Sequence, residues 1–143
     1  MEEHKKYIVD FHTHILPGMD DGAGDPAESL SMLHSLASQA VDQVYLTPHF
    51  ILHREGVPAF LRRREAAAEK LAAAMRHAEK NVRFPRLRLG AEVRLEQELL
   101  DEPDVKKLCY AGTDALLLEF PFRPLERRDF ETLENMVYKF KII

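Results

Sequence analysis

A single cysteine, Cys109, stands among the 143 residues, which excludes an internal disulfide and suits a reducing compartment. No window approaches the roughly 18 apolar residues of a membrane span. Residues 1–6 are polar and charged, with no apolar core behind them long enough for a signal peptide. The chain also lacks a basic block: 20 Lys and Arg against 24 Asp and Glu give a net charge of −4, so nothing here tracks a nucleic-acid backbone. The densest basic run, Arg62-Arg63-Arg64, falls in a predicted helix near Glu65 and Glu69 and is expected to form a solvated face. No glycine-rich phosphate loop precedes a lysine, so a P-loop nucleotide enzyme is excluded. A thiolate phosphatase loop needs an arginine six residues after its cysteine; that position is Ala115, and Cys109 is expected in the core. The expected setting is cytoplasmic, without membrane insertion.

What remains is an alternation of strand and helix signals. The apolar run before His12 reads as a first strand. Asp25 is the predicted N-cap of a helix, with Pro26 at its first position and Glu28 as capping-box partner; Leu30, Leu33, Ala37 and Val41 follow at helical spacing. Val44-Tyr45-Leu46 is a second strand. Pro58 opens a long helix over 59–80, whose inner face is Phe60, Leu61, Ala68, Leu71, Ala72 and Met75. Residues 87–93 give a third strand and 115–120 a fourth, the latter a continuous apolar run as expected when both faces are covered. A helix over 127–138 and a fifth strand over 140–143 complete the pattern. Strands alternating with helices predict a parallel α/β architecture, in one domain spanning 1–143. The last strand has no covering helix after it, so the sequence is expected to be part of a longer protein.

Ligands of parallel α/β folds bind beyond the carboxyl ends of the strands. His12, His14, His49, Glu92 and Glu119 all fall at such ends. His12 and His14 lie two apart, and in an extended strand they share a face, as side-by-side metal ligands must. Glu119 closes a buried run, where a carboxylate needs a partner that a cation can supply. Asp20 and Asp21 compete for one ligand position: one coordinates while the other caps the turn, and spacing does not choose. His34 and His77 are expected as surface or packing residues on helices, His4 as part of the N-terminal segment, and His53 and Arg54 as loop surface.

The runs Phe11-His12-Thr13-His14-Ile15-Leu16-Pro17-Gly18-Met19-Asp20-Asp21-Gly22, Leu46-Thr47-Pro48-His49, Gly90-Ala91-Glu92-Val93-Arg94 and Leu118-Glu119-Phe120-Pro121 resemble, in that order, the metal-dependent protein-tyrosine phosphatases of the PHP superfamily. Those enzymes are encoded with bacterial capsule and exopolysaccharide synthesis genes. The resemblance implies the N-terminal portion of a distorted (β/α)7 barrel, incomplete in this chain, with up to three divalent metals, usually manganese. It further implies that His12 and His14 bind one metal, that Glu92 bridges it to a second also held by Glu119, and that Asp21 and His49 hold the third. The implied substrate is a phosphotyrosine protein, notably the tyrosine-rich tail of a bacterial autokinase. Arg94 and Arg123 are the expected phosphate contacts. The family's remaining ligands are expected beyond Ile143, which predicts unpaired sheet edges, self-association into a homo-oligomer, or inactivity of the isolated chain. Two rival readings follow: a phosphoesterase acting on a small phosphomonoester, and an inactive metal-binding remnant.

Overall fold

The computed structural model describes residues 6–78 and 82–143 of the chain. Its strands are β1 (Val9–Thr13), β2 (Gln43–Leu46), β3 (His49–Phe50), β4 (Arg86–Leu89), β5 (Glu92–Arg94), β6 (Ala115–Glu119) and β7 (Lys141–Ile142). They form two sheets, ordered β1-β2-β4 and β3-β5-β6-β7, and every pairing is parallel. The mixed α/β class with parallel sheets is as the alternation predicts.

The second and third expected strands are each broken in two, and the breaks have local causes. Pro48 has no N–H to extend the β2 ladder. Gly90 sits where a Cβ would come within 3.2 Å of both the Thr47 Cγ2 atom and the Tyr110 ring, so a side chain here would crowd both neighbours. Hydrogen bonds carry across both breaks, from Gly90 N to the Leu46 carbonyl (2.9 Å) and from Glu92 N to the Pro48 carbonyl (3.0 Å). The two sheets are therefore one bent surface, and His49 pairs directly with Glu92.

Helix α1 (Pro26–Ser38) starts as its sequence dictates: the Asp25 carboxylate accepts from Ala27 N and Glu28 N. The expected capping box is displaced by one residue, because the Glu28 carboxylate accepts from Gly24 N, not from the cap. Leu33 is fully buried, whereas Val41 lies past the helix end. The exit passes through Ala40 at φ +61°, with Val41 N donating to the Leu36 carbonyl. This left-handed position favours glycine, and alanine there is strained.

Helix α2 (Val57–His77) starts two residues earlier than predicted; its expected end near Lys80, like His4, lies outside the described residues. Val57, Phe60, Ala67 and Leu71 are buried against the sheet, with Phe60 packed edge-on to Phe50 at 5.0 Å. Each such large side chain contributes roughly 1.5–3 kcal/mol. The solvated reading of Arg62-Arg63-Arg64 is corrected at its last member. Arg64 is only 6% exposed, donates to the Gly90 carbonyl at 2.8 Å and lies over the Phe60 ring. A helix-face reading counts only charges three and four apart, so it misses an acceptor on a distant strand break.

Two 3-10 turns, Gln97–Leu100 and Val105–Leu108, were not anticipated. They place Leu99, Val105 and Leu108 in the core beside buried Cys109, whose thiol is pushed up by burial. Helix α3 (Arg127–Lys139) leads into β7. Among the described residues, no helix is long and apolar enough to cross a membrane.

Candidate metal centre

Residues distant in sequence meet where β1 and β6 end and β3 and β5 begin. Glu92 opens β5, is 8% exposed, and turns Oε2 into a ring of imidazoles. His12 Nε2 lies 3.1 Å away, His49 Nδ1 3.1 Å and His14 Nε2 3.3 Å. These are hydrogen-bond lengths without hydrogen-bond angles, and both Glu92 Oε2 and His49 Nδ1 are buried with no hydrogen-bond partner. His12 and His14 stand side by side, their Nε2 atoms 3.1 Å apart, as same-face strand positions require.

Orphaned buried acceptors cost about 1–3 kcal/mol each. Here their lone pairs converge, and a divalent cation is the partner that such a set of nitrogen and oxygen donors suits. Three donor groups have their atoms within 4.8 Å of one another: His12, His14 and Glu92; His49, Glu92 and Glu119; and His14, Asp20, Asp21 and His49. Glu92 is shared by the first two, and His49 by the last two. The donor chemistry thus fits divalent cations, and more than one of them.

Asp20 and Asp21 differ in their surroundings. Asp20 Oδ2 accepts from His14 Nδ1 (2.9 Å) and from His49 N (2.9 Å), and its Oδ1 accepts from Gly22 N (3.1 Å). Burial pushes the Asp20 carboxyl up, but these donors outweigh it and hold the group at about 2. The same hydrogen bond raises His14 above its ordinary value, against the opposing effect of burial. Asp20 therefore fixes the His14 ring with the proton on Nδ1 and the Nε2 lone pair facing Glu92, an arrangement common behind metal-bound histidines. Asp21 is the free member: its side chain is 84% exposed, with Oδ1 3.5 Å from His49 Nε2. The loop closes tightly around His14, since a Cβ on Gly22 would overlap the His14 carbonyl oxygen at 2.0 Å.

Glu119, at the end of β6, accepts from Arg94 Nε at 2.7 Å and lies 3.5 Å from His49 Nδ1. Arg94 borders a cleft of about 380 Å3 that also touches Asp21, His49, Arg54, Arg63 and Phe122. Arg123 is elsewhere. Its guanidinium forms two bonds to Asp129 (2.7 and 2.8 Å) in a neighbouring cleft that shares Arg94. Two features escaped the sequence reading. Arg63 reaches back to the Met19 carbonyl at 3.0 Å and to Glu55. Glu96 pins the loop after β3, accepting from Leu52 N and contacting His53. Neither pairing follows a periodic spacing. His34 packs edge-on to Phe84, and His77 bonds the Ala73 carbonyl.

Fold and site together define a class: parallel α/β proteins that gather histidine and carboxylate side chains able to hold metal ions at the rim of their sheets. A family model described as "Capsular polysaccharide synthesis, CpsB/CapC" matches residues 8–142. The chain belongs to that family, as its motifs led us to expect. It is 36% identical over 127 residues to the tyrosine-protein phosphatase YwqE of Bacillus subtilis (strain 168), a match covering 84% of this chain and 46% of that protein. It also superposes with a TM-score of 0.70 and 32% identity on a structure from work on YwqE from Bacillus subtilis and CpsB from Streptococcus pneumoniae, described as unique metal-dependent tyrosine phosphatases; 92% of this chain and 52% of that one are covered. The chain spans about half the length of the relatives it matches.

Proposed function

We propose that this chain carries part of the metal site of a metal-dependent protein-tyrosine phosphatase acting in capsule or exopolysaccharide synthesis. The observation that carries the reading is the Glu92 carboxylate oxygen, buried without a hydrogen bond and ringed by three imidazole nitrogens at 3.1–3.3 Å. The family supports the rest: YwqE and CpsB are named as tyrosine phosphatases, YwqE and CpsB together as metal-dependent ones.

In this proposal His12, His14 and Glu92 hold one cation, Glu92 with Glu119 a second, and Asp21 with His49 a third, with Mn2+ as the assigned metal. Bound cations supply a water of lowered pKa and neutralise charge on the phosphoryl oxygens. The protein's own groups prepare the site. Asp20 holds the His14 tautomer, and Arg94 orients Glu119 while presenting a guanidinium to the phosphate. Arg123 reaches the phosphate only by leaving Asp129, which makes Arg94 the stronger of the two expected contacts. The fold is assigned as the N-terminal portion of a distorted (β/α)7 barrel in one domain, located in the cytoplasm. The assigned substrate is a phosphotyrosine-bearing tail of a tyrosine autokinase, and β1 and β7 as sheet edges support self-association.

A second reading, metal binding without turnover, is favoured by His12, whose side chain is 45% exposed at its ligand position. Hydrolysis of a phosphotyrosine peptide by the purified chain with Mn2+, beside a His12→Ala/His14→Ala control, separates the two. Turnover that disappears in the control supports catalysis. Metal uptake without turnover supports the second reading.

A further inference from the structure

The cleft beside the cluster has an aromatic feature that the metal chemistry does not use. Phe122 is 88% exposed and lines the cleft together with His49, Asp21 and Arg94. Single exposed apolar side chains are ordinary on protein surfaces, and Val137 and Tyr138 on α3 are examples. Phe122 differs in two respects. Its ring lies under the Arg94 guanidinium, 5.0 Å from Cζ to the centroid, and that guanidinium is held by Glu119. Its backbone is also fixed. Pro121 and Pro124 flank the segment, and Arg123 N bonds the Pro121 carbonyl at 2.8 Å. The Arg123 side chain is clamped on Asp129 and bonds the Pro124 carbonyl at 3.0 Å. A flexible loop would let an apolar ring fold away from water; this one holds the ring at the cleft mouth.

Resting on the phosphatase reading above, we infer that Phe122 is the specificity residue of the cleft. It packs against the aromatic ring of an aryl phosphomonoester whose phosphate lies toward Arg94, His49 and Asp21. The rigid Arg123–Asp129 clamp, formed six residues apart, then positions Phe122 and has no contact with the phosphate. Arg94, stacked on one side by Phe122 and bonded on the other by Glu119, links the ring-binding surface to the donor cluster. A phenyl ring gains a stacking partner there, whereas a small alkyl phosphate reaches only the charged end. Ring stacking of this kind gives roughly a 3- to 10-fold preference.

The test is calorimetric titration of the Mn2+-loaded chain with phenylphosphonate and with methylphosphonate, neither of which is hydrolysed. The wild-type chain is expected to prefer the phenyl compound roughly 3- to 10-fold. Phe122→Ala loses that preference, and Phe122→Tyr keeps it. Because Phe122 is exposed, neither variant removes core packing. Phosphonate binding with no phenyl preference, or a preference that survives in Phe122→Ala, overturns the inference and leaves the phosphatase reading standing. Binding of neither phosphonate removes the phosphatase reading and this inference with it.

Discussion

Replacing Glu92 with glutamine sets fold stability against metal binding. The carboxylate is nearly enclosed, and its Oε2 atom has no hydrogen-bond donor although three imidazole nitrogens crowd it. Without cations, the charged oxygen is a cost to the fold. Glutamine keeps the shape, removes the charge and offers two N–H donors to those nitrogens. Relief of one buried unsatisfied acceptor is worth about 1–2 kcal/mol, which in a chain of this size raises Tm by roughly 2–8 °C. The order reverses when Mn2+ is added. At a free concentration near 100 times Kd, a cation bound only by the native state stabilises it by about 2.7 kcal/mol, and Glu92→Gln, having lost the shared ligand, gains little. Thermal unfolding by circular dichroism at pH 7.5, with and without Mn2+, reads both effects. The wild-type chain is expected to be the less stable without metal and the more stable with it. A Glu92→Gln protein that is destabilised without metal, and raised by Mn2+ as much as wild type, would refute the argument that Glu92 is held unsatisfied for cations.

Three further outcomes follow from particular contacts. Asp20→Asn weakens the partner that fixes the His14 ring, so Mn2+ affinity measured by titration falls roughly 10- to 100-fold, with the fold retained in circular dichroism. Ala40→Gly removes the strain of φ +61° and raises stability by about 0.5–1 kcal/mol in urea unfolding; an unchanged or lower midpoint contradicts the account of the α1 exit. Asp129 is held at about 2, chiefly by the Arg123 guanidinium beside it. A carboxyl depressed in the folded state stabilises above its unfolded value, near 3.9, and that contribution fades as pH falls toward 2. Acid unfolding of Asp129→Asn is therefore flatter between about pH 4 and pH 2 than that of the wild-type chain; parallel curves would rule the linkage out.

The architecture was legible because parallel strands leave apolar runs that need no knowledge of their partners, although β6 alternates buried Leu116 and Leu118 with half-buried Ala115 and Leu117 and so is not covered on both faces as expected. Ala115 to Glu119 and Gln43 to Leu46 announce themselves in this way, and the chemistry-bearing residues sit where those runs stop. His12, His14, His49, Glu92 and Glu119 were found by position alone, and the structure brings them together. The features that escaped depend on contacts between residues far apart in the chain. The broken strands arise because Gly90 meets Thr47 and Tyr110, which no local pattern encodes. Arg64 looks solvated until the Gly90 carbonyl across the strand break is seen. The roles of Asp20 and Asp21 diverge only because His49 N arrives at one of them from 29 residues away. Arg123 was expected at the phosphate, but its nearest opposite charge lies on the first turn of the next helix, and charge pairing there fixes its direction.

The central claim is that the histidine and carboxylate cluster around Glu92 binds divalent cations, and diffraction at the manganese absorption edge from crystals grown with Mn2+ tests it most directly. The account predicts anomalous peaks roughly 2.0–2.2 Å from His12, His14 and Glu92, with at least one more peak against Glu92, Glu119 or His49. Well-ordered crystals with no anomalous peak at Glu92 would contradict it.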